Sequence, residues 1–169
     1  MLEDYLPSVV SSIPEYAEII LADNASTDNS VDFVKQQHPN VKIIINKING
    51  GFAKGYNDAL KDINHEYLVL LNSDIETPNN WIEPVINFME SNPNVGAAMP
   101  KILQLNKKTH FEYAGAAGGY IDKWGFPFCR GRIFEELEED NGQYNDNKEI
   151  FWATGACMFV RNQIYKNLG

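Results

Sequence analysis

Short apolar runs alternate with amphipathic stretches through the first half of the chain. The apolar runs have the length and residue types of buried strands, and they occupy residues 17–22, 41–45 and 67–71. The amphipathic stretches carry helix-start signals and occupy residues 26–37, 52–63 and 78–90. Strands that alternate with helices in this way predict an α/β fold with a doubly wound, mainly parallel sheet flanked by helices.

The second half has a less regular pattern. It predicts, in chain order, a strand at residues 95–99, a short extension at 101–105, an irregular Gly- and aromatic-rich segment at 110–134, a polar loop at 135–148, a strand at 150–160 and the start of a helix at 162–168. No repeat or linker divides the sequence, so we expect one domain over residues 1–169.

The two ends of the sequence suggest that this domain is incomplete. Residues 2–12 predict a helix, whereas a doubly wound domain ordinarily opens on a strand. We therefore expect that the first strand lies outside the sequence, and that the last helix has only begun. An uncovered sheet edge can pair with another chain, which keeps a homodimer open as an alternative.

Net charge, apolar runs and cysteine spacing disfavour several classes of protein. The formal net charge is -9, so a nucleic-acid partner is not expected, since phosphate neutralisation needs clustered Lys and Arg. The sequence has no apolar run of membrane-spanning length and no secretory signal at its start. Cys129 and Cys157 have no zinc-site spacing and are interpreted as reduced thiols. These features favour a cytoplasmic protein.

Polar residues follow each of the three predicted strands. These residues are Asp23-Asn24, Asn46 through Asn49, and Asn72-Ser73-Asp74. Ligands of doubly wound sheets bind beyond the carboxyl ends of the strands. The three groups should therefore meet in one crevice.

Two of these groups carry acidic residues with alternative interpretations. Asp74, beside Asn72, can hold a hard divalent cation together with substrate phosphates, or it can cap the following helix. Asp23 can accept a hydrogen bond from a nucleotide base or ribose hydroxyl. Asp28 and Ser26 are simple N-cap candidates.

Two segments are rich in small residues. Gly50 and Gly51, between a strand and a helix, allow close approach of backbone to a phosphate or ribose, or they form an ordinary turn. Neither the dinucleotide-binding nor the P-loop pattern is satisfied there. In the segment around Gly155 and Ala156 a sugar could lie near the backbone with Trp152 as platform, although spacing alone favours a core strand with a bulge.

Together these segments resemble glycosyltransferase family 2, in particular its rhamnosyltransferase-like members with the GT-A fold. Four pieces carry the resemblance in the family's order, and they are residues 19–28, 49–57, 70–74 and 154–161. The resemblance implies a nucleotide-diphospho-sugar transferase-like domain that uses Mn²⁺ or Mg²⁺. This sequence departs from the family's D-x-D metal motif at its first position, which is Asn72. The resemblance therefore implies that Asp74 is the main metal ligand and Asn72 a second candidate.

The resemblance also assigns a donor site. Its nucleotide-sugar-binding residues would be Asp23, Asn24, Asn49, Gly50, Gly51, Asn57, Asn72, Ser73, Asp74, Gly155 and Ala156. The family's acidic catalytic base normally follows the Thr-Gly-Ala segment, beyond Gly169. It would deprotonate the acceptor hydroxyl for attack with inversion.

The resemblance therefore implies an inverting, metal-assisted glycosyltransferase. Its donor would be a nucleotide-diphosphate sugar and its acceptor a saccharide or lipid-linked saccharide. The expected setting is assembly of a bacterial surface polysaccharide, in the cytoplasm or at the inner face of the membrane. Residues 1–169 alone are expected to be inactive. The alternative is a non-catalytic nucleotide- or sugar-binding module, which the missing base fits equally well.

Overall fold

The computed structural model describes residues 1–168, which form an α/β fold. The helices are α1 (Leu2–Ser12), α2 (Ser30–Gln37), α3 (Phe52–Leu60), α4 (Glu83–Ser91) and α5 (Asn162–Leu168). The strands are β1 (Ile20–Asp23), β2 (Lys42–Ile45), β3 (Tyr67–Leu71), β4 (Ala97–Ala98), β5 (Gly119–Ile121), β6 (Pro127–Cys129), β7 (Arg132–Ile133), β8 (Glu136–Leu137) and β9 (Cys157–Arg161). No helix in this range is long and apolar enough to cross a bilayer.

The central strands form two pairing groups. β1 and β2 pair in parallel, from Ile20 opposite Lys42 to Asp23 opposite Ile45. β9 lies between β3 and β4 and is antiparallel to both. β3 and β4 therefore run in the same direction, as expected for a mainly parallel sheet, and β9 is the reversed strand. The orientation of β9 could not be predicted from its apolar pattern.

Helices cover both faces of these strands. On one face, α1 and α2 pack on β1 and β2 through Leu6 and Val34, and α4 packs on β3 and β9 through Met89. On the other face, a cluster around Leu68 and Val160 joins the central strands to α3 and α5. The arrangement is three layers, helices on a sheet on helices, which is the layering of α/β domains.

β9 is the most deeply buried of the central strands. Phe159 is fully buried against α4 and meets Trp81 edge-on, with ring centroids 5.7 Å apart. Val160 points to the opposite face, as alternation along a strand requires. At the end of β9 the Arg161 guanidinium donates to the Tyr67 hydroxyl at 2.6 Å and to the Met89 carbonyl at 2.7 Å. These bonds tie α4 and β3 to the same strand.

A gap separates β1 from β3. β1 and β3 do not pair with each other, and a cleft of about 1010 Å³ lies between them, lined by residues of both strands and by α1, α3 and α4. Its walls are apolar along most of its length. Polar residues line both ends: Glu18, His65 and Glu90 where β1 and β3 begin, and Asn24 and Asn72–Asp74 where they finish, which we call the polar end. We refer to this space as the cleft.

The structure differs from the sequence-based expectation in the second half. The segments predicted as irregular (110–134) and as a polar loop (135–148) contain a four-stranded antiparallel sheet, β5 to β8. Its strands have two or three residues, which is too short to show a period. Positive φ angles at Gly125 and Gly131 let the chain turn between them. The predicted extension at 101–105 forms only an isolated bridge, from Leu103 to Phe111.

The boundaries of two helices also differ from prediction. α2 begins at Ser30 rather than near residue 26, because the Asp28 carboxylate accepts the Ser30 N–H at 3.0 Å and holds the preceding residues in a turn. The Ser30 hydroxyl and backbone N–H lower the pKa of Asp28. The structure corrects the N-cap assignment of Asp28 and Ser26: the N-cap position of α2 is Asn29, and Asp28 holds the turn one residue before it. α4 begins at Glu83, five residues after Pro78, with Pro84 in its first turn.

The burial of Phe159 predicts its effect on stability. Phe159→Ala should lower the free energy of unfolding by about 3–5 kcal/mol, because it leaves a cavity between β9 and α4. Urea unfolding of the wild type and the variant measures this loss. Phe126→Ala is the matched control, since the Phe126 side chain is 69% exposed, and should change stability by no more than about 0.5 kcal/mol. Equal losses in the two variants would contradict the core assignment.

Candidate functional site

The carboxyl ends of β1 and β3 meet at the polar end of the cleft, and the end of β2 is bonded to the end of β1 beside it. Asn24, Asn72, Ser73 and Asp74 line it there, together with Phe52 and Tyr56 on the first turns of α3. The sequence predicted this convergence, because strands that run in one direction end at the same edge of the sheet.

Asp23, at the end of β1, is held in a tight turn. Its side chain is only 5% exposed, and its Oδ2 accepts the Ser26 N–H at 3.2 Å. Its carbonyl accepts the Asn46 N–H at 2.8 Å, which ties the end of β1 to the end of β2. Ala25 has φ of 60°, so the chain reverses immediately after the strand. Asp23 is therefore a fixed acidic group at the end of β1.

Three asparagines link the strand ends to the start of α3. Asn46 donates from Nδ2 to Asn24 Oδ1 at 3.2 Å and to the Gly55 carbonyl at 2.9 Å. Asn24 donates from its own Nδ2 to Asn49 Oδ1 at 2.9 Å and to the Gly51 carbonyl at 3.2 Å. Asn49 Oδ1 also accepts the Gly51 N–H at 3.0 Å. We call these three residues the asparagine network; it holds the Gly50-Gly51 turn against β1.

Two of the glycines are required by conformation or space. Gly51, before the first turn of α3, has φ of 83°, where side chains other than Gly are strained. At Gly55, a Cβ would lie 2.9 Å from the Asn24 side chain, so α3 approaches β1 as closely as its backbone allows. Gly50 has neither constraint, since its Cβ would meet only the flexible Lys54 side chain.

The Gly155–Ala156 segment joins the site from the other half of the chain. The Asn72 N–H donates to the Ala156 carbonyl at 3.0 Å, which extends the pairing of β3 with β9 by one bond. A Cβ at Gly155 would lie 2.8 Å from the Phe52 ring, so this segment passes directly over the first turn of α3. The small side chains predicted as a sugar-facing surface therefore lie beside both the Asn72–Asp74 turn and the Gly51 turn.

Asp74 is the acidic residue of the site whose carboxylate is open to a ligand. It is exposed, and its carboxylate makes no hydrogen bond or ion pair with any residue of the described chain. Within residues 1–168 no cluster of three or more His, Cys, Asp or Glu side chains is arranged to hold a metal ion. Asp74 and Asn72 nevertheless present oxygen ligands of the kind that Mg²⁺ and Mn²⁺ accept. The donor set fits a cation that takes most of its ligands from phosphates and water.

Some expected site residues have other partners. Asn57 Oδ1 accepts the Tyr165 hydroxyl at 2.6 Å, so its side chain is engaged with α5 and lines a separate small pocket rather than the cleft. The Trp152 ring lies over the backbone of Gly119, where a Cβ would come within 2.0 Å of it, and its Nε1 donates to the Tyr120 carbonyl at 3.2 Å. Of the two interpretations of Trp152, the structure favours a core residue over a sugar platform, because its ring packs beside β5.

Sequence reasoning placed Asn46 among the polar residues of the crevice but gave it no part in the donor site, and it overlooked Tyr56. Asn46 is 7% exposed and joins β1, β2 and α3, although its position after an apolar strand was the only signal. Tyr56 lines the cleft and packs edge-on against Phe52, with centroids 5.0 Å apart. Burial and the neighbouring Tyr165 raise the pKa of Tyr56, so it stays a hydroxyl donor. Its i,i+4 spacing from Phe52 was the available signal.

Cysteine nucleophile chemistry is not favoured at this site. Cys157 follows the Gly155–Ala156 segment, but it is buried, and burial raises the pKa of its thiol to about 12. The thiolate is the reactive form of cysteine. Cys157 therefore acts as a small apolar residue of the core.

Comparisons with known proteins identify relatives across the whole chain. Residues 1–169 match the family described as Glycosyl transferase family 2. An uncharacterised glycosyltransferase of Haemophilus influenzae is 24% identical over 98% of this chain and 49% of its own length. N-acetylglucosaminyl-diphospho-decaprenol L-rhamnosyltransferase of Mycobacterium tuberculosis is 21% identical over 99% of this chain and 59% of its own. The chain thus spans about half the length of these relatives.

A solved structure supports the fold. A crystal structure of GalNAc-T7 with UDP, GalNAc and Mn²⁺ matches 99% of this chain and 33% of that chain, with a TM-score of 0.69 and 17% sequence identity. The likeness shows the GT-A fold predicted from the sequence.

The asparagine network predicts that substitution is tolerated at Gly50, in the turn, but not at Gly55, in α3. Gly55→Ala should lower the free energy of unfolding by about 1–2 kcal/mol, because its Cβ meets an Asn24 side chain held by three hydrogen bonds. Gly50→Ala is the control and should be nearly neutral, since Lys54 can move aside. Urea unfolding compares them. A neutral Gly55→Ala together with a destabilised Gly50→Ala would contradict this account of the turn.

Proposed function

This chain belongs to glycosyl transferase family 2, and on that premise we propose that it is the donor-binding part of an inverting glycosyltransferase. The observation that carries the proposal is the meeting of four segments at one end of the cleft. Asp23-Asn24, the Gly51 turn, Asn72–Asp74 and Gly155–Ala156 come together there from distant parts of the chain. The donor is a nucleotide-diphosphate sugar.

Each segment has a part in holding the donor. Asp23 accepts a hydrogen bond from the base or ribose, because it is an acid fixed by its turn. The Gly51 turn lies along the nucleotide, and the asparagine network keeps it in place. We assign Gly155 and Ala156 to the sugar side of the site; because the Phe52 ring fills the space at Gly155, the sugar lies alongside that ring.

Asp74 holds a divalent cation, Mn²⁺ or Mg²⁺, with Asn72 as the second candidate ligand. The cation supplies charge neutralisation of the leaving diphosphate. One carboxylate gives modest affinity, so the cation binds together with the diphosphate rather than before it. The GalNAc-T7 crystals contained Mn²⁺ with UDP, which supports the choice of cation.

The acceptor is a saccharide or a lipid-linked saccharide, and the setting is the synthesis of a cell-surface polysaccharide. The support is the named activity of two relatives: the mycobacterial rhamnosyltransferase, and a poly-beta-1,6-N-acetyl-D-glucosamine synthase of Staphylococcus epidermidis that is 29% identical over 69% of this chain and 30% of its own length. We place the reaction in the cytoplasm, at the inner face of the membrane.

The acceptor-activating base is assigned outside residues 1–168. Asp23 is assigned to the base or ribose and Asp74 to the cation, so neither acid is assigned to deprotonate an acceptor. On this assignment the 169-residue chain binds donor without transferring sugar. The absence of an assigned base among the described residues also favours a second function, a non-catalytic nucleotide-sugar-binding module. Sugar transfer by a longer polypeptide that contains this chain would exclude that alternative.

Titration of donors tests the proposed site. Calorimetry with UDP-, dTDP- and GDP-linked sugars, each with and without Mn²⁺, should show Mn²⁺-dependent binding of one nucleotide. Asp74→Ala should weaken that binding at least about tenfold, which is ~1.4 kcal/mol. The control is Asp62→Ala, because Asp62 is exposed and does not line the cleft.

The possible outcomes distinguish failure of the proposed function from failure of the Asp74 assignment. Failure of every nucleotide sugar to bind the wild type would contradict the proposed function for this chain. Binding that is equally tight in Asp74→Ala and Asp62→Ala would keep the donor but remove Asp74 from the site.

A further inference from the structure

The turn that carries Asp74 is attached to the rest of the protein at both of its ends. At its start, the Asn72 N–H donates to the Ala156 carbonyl at 3.0 Å. At its other end, Thr77 is bonded to α1. Of the described residues 72–81, only Thr77 is buried, with 8% of its surface exposed. Thr77 is therefore the inner attachment of this turn.

Two serines of α1 hold Thr77. The Thr77 backbone N–H donates to the Ser8 hydroxyl at 3.1 Å, and that hydroxyl donates in turn to the Tyr5 carbonyl at 2.7 Å within the helix. The Thr77 hydroxyl lies 2.8 Å from the Ser12 hydroxyl, and both of these residues are buried. Thr77 is thus bonded to α1 through its backbone and through its side chain.

The other partners of Ser12 determine the direction of its bond with Thr77. Trp81 Nε1, which can only donate, lies 3.1 Å from the Ser12 hydroxyl, and the Val9 carbonyl lies 3.4 Å from it. A hydroxyl has one proton and two acceptor positions, so all groups are satisfied when Ser12 donates to Val9 and accepts from Trp81 and Thr77. The rest of this cluster therefore stays bonded when the hydroxyl at position 77 is removed.

The hydroxyl cluster is attached to the apolar core on both of its sides. On the α1 side, Leu6 packs with Val34 of α2 and with Val41. On the other side, the Trp81 ring meets Phe159 of β9 edge-on. The end of the Asp74 turn is therefore fixed to the interior of the protein rather than to a surface element.

The position of the Asp74 carboxylate depends on these attachments. It makes no hydrogen bond or ion pair with any residue of the described chain. Thr77 is three peptide units away, which is about 11 Å of fully extended chain, so its buried bonds limit where Asp74 can move. The exposed ion pair of Glu76 with Lys108 adds little, because water and salt screen it. A ligand fixed in advance loses less conformational freedom when a cation binds.

We propose that Thr77 is a positioning residue for the cation ligand Asp74. Its bonds to Ser8 and Ser12 fix the Asp74 turn on α1, and a divalent cation binds more tightly with the nucleotide diphosphate because the turn is fixed in advance. The inference rests on the proposed function, which assigns the cation to Asp74. It extends that function to a residue that does not line the cleft.

Two substitutions separate the Thr77 hydroxyl from the bulk of the side chain. Thr77→Val keeps the size and removes the hydroxyl, whereas Thr77→Ser removes a methyl group and keeps the hydroxyl. ¹⁵N relaxation of the chain without ligands measures the mobility of the turn. The order parameters of the Ser73, Asp74 and Ile75 amides should fall by about 0.1 or more in Thr77→Val and stay at the wild-type value in Thr77→Ser.

Titration with UDP, dTDP and GDP, each with and without Mn²⁺, measures the consequence for the cation. The gain in nucleotide affinity that Mn²⁺ gives should be about threefold to tenfold smaller in Thr77→Val than in the wild type, as expected for loss of one hydrogen bond. Thr77→Ser should keep this gain within about twofold, and affinity without Mn²⁺ should be the same in all three proteins.

Asn162→Ala is the control for a general loss of stability. Asn162 is buried at the start of α5, and its side chain donates to the Ile63 and His65 carbonyls, away from the Asp74 turn. This variant should lower Tm and retain the full gain in affinity from Mn²⁺, because it leaves the bonds of Thr77 in place.

The other results overturn the inference. Unchanged order parameters or an unchanged Mn²⁺ gain in Thr77→Val would show that the hydroxyl does not position Asp74. An equal loss of the gain in Thr77→Ser or in Asn162→Ala would make the effect one of general stability. Absence of Mn²⁺-dependent binding in the wild type would contradict the proposed function itself, and the inference with it.

Discussion

The burial of β9 between β3 and β4 is the constraint on which the rest of the structure depends. β9 arrives from the far end of the chain and lies antiparallel between two strands that run in the same direction. Phe159 and Val160 fill opposite faces of the sheet, so both helical layers pack on this one strand. Burial of two large apolar side chains supplies several kcal/mol, which outweighs any single surface interaction of the fold.

The position of β9 also builds the site. Because β9 pairs with β3, the residues just before it lie next to the residues just after β3, and Asn72 bonds to Ala156. Gly155 then meets Phe52 at the start of α3, and α3 is held against β1 by the asparagine network. Strand pairing in the core thus positions the glycine turns and Asp74.

Much of this could be predicted from the sequence. β3 and α1 have the predicted bounds, because a continuous apolar run and a clear helical period leave few alternatives. The convergence of the strand ends followed from their common direction. The reversed orientation of β9 could not be predicted, since an apolar run has no direction. The bond between Asn57 and Tyr165 joins residues 108 positions apart, and no local pattern reports it.

Local sequence patterns did not determine the structure at two places, Trp152 and segment 110–148. Trp152 in an apolar stretch has the character of a binding platform, yet Gly119 leaves a space that its ring fills. Segment 110–148 seemed irregular because its strands are short and several turns need positive φ, including a non-glycine at Phe134 with φ of 52°.

Paramagnetic broadening tests the central claim most directly, namely that these strand ends form one site for a nucleotide diphosphate with a divalent cation. Mn²⁺ and UDP are added to ¹⁵N-labelled chain, and NMR records which amide signals broaden. The account predicts selective loss of the signals of Asn24, Gly51, Ser73 and Asp74. Broadening centred on the acidic segment 135–140, with those four signals intact, would contradict it.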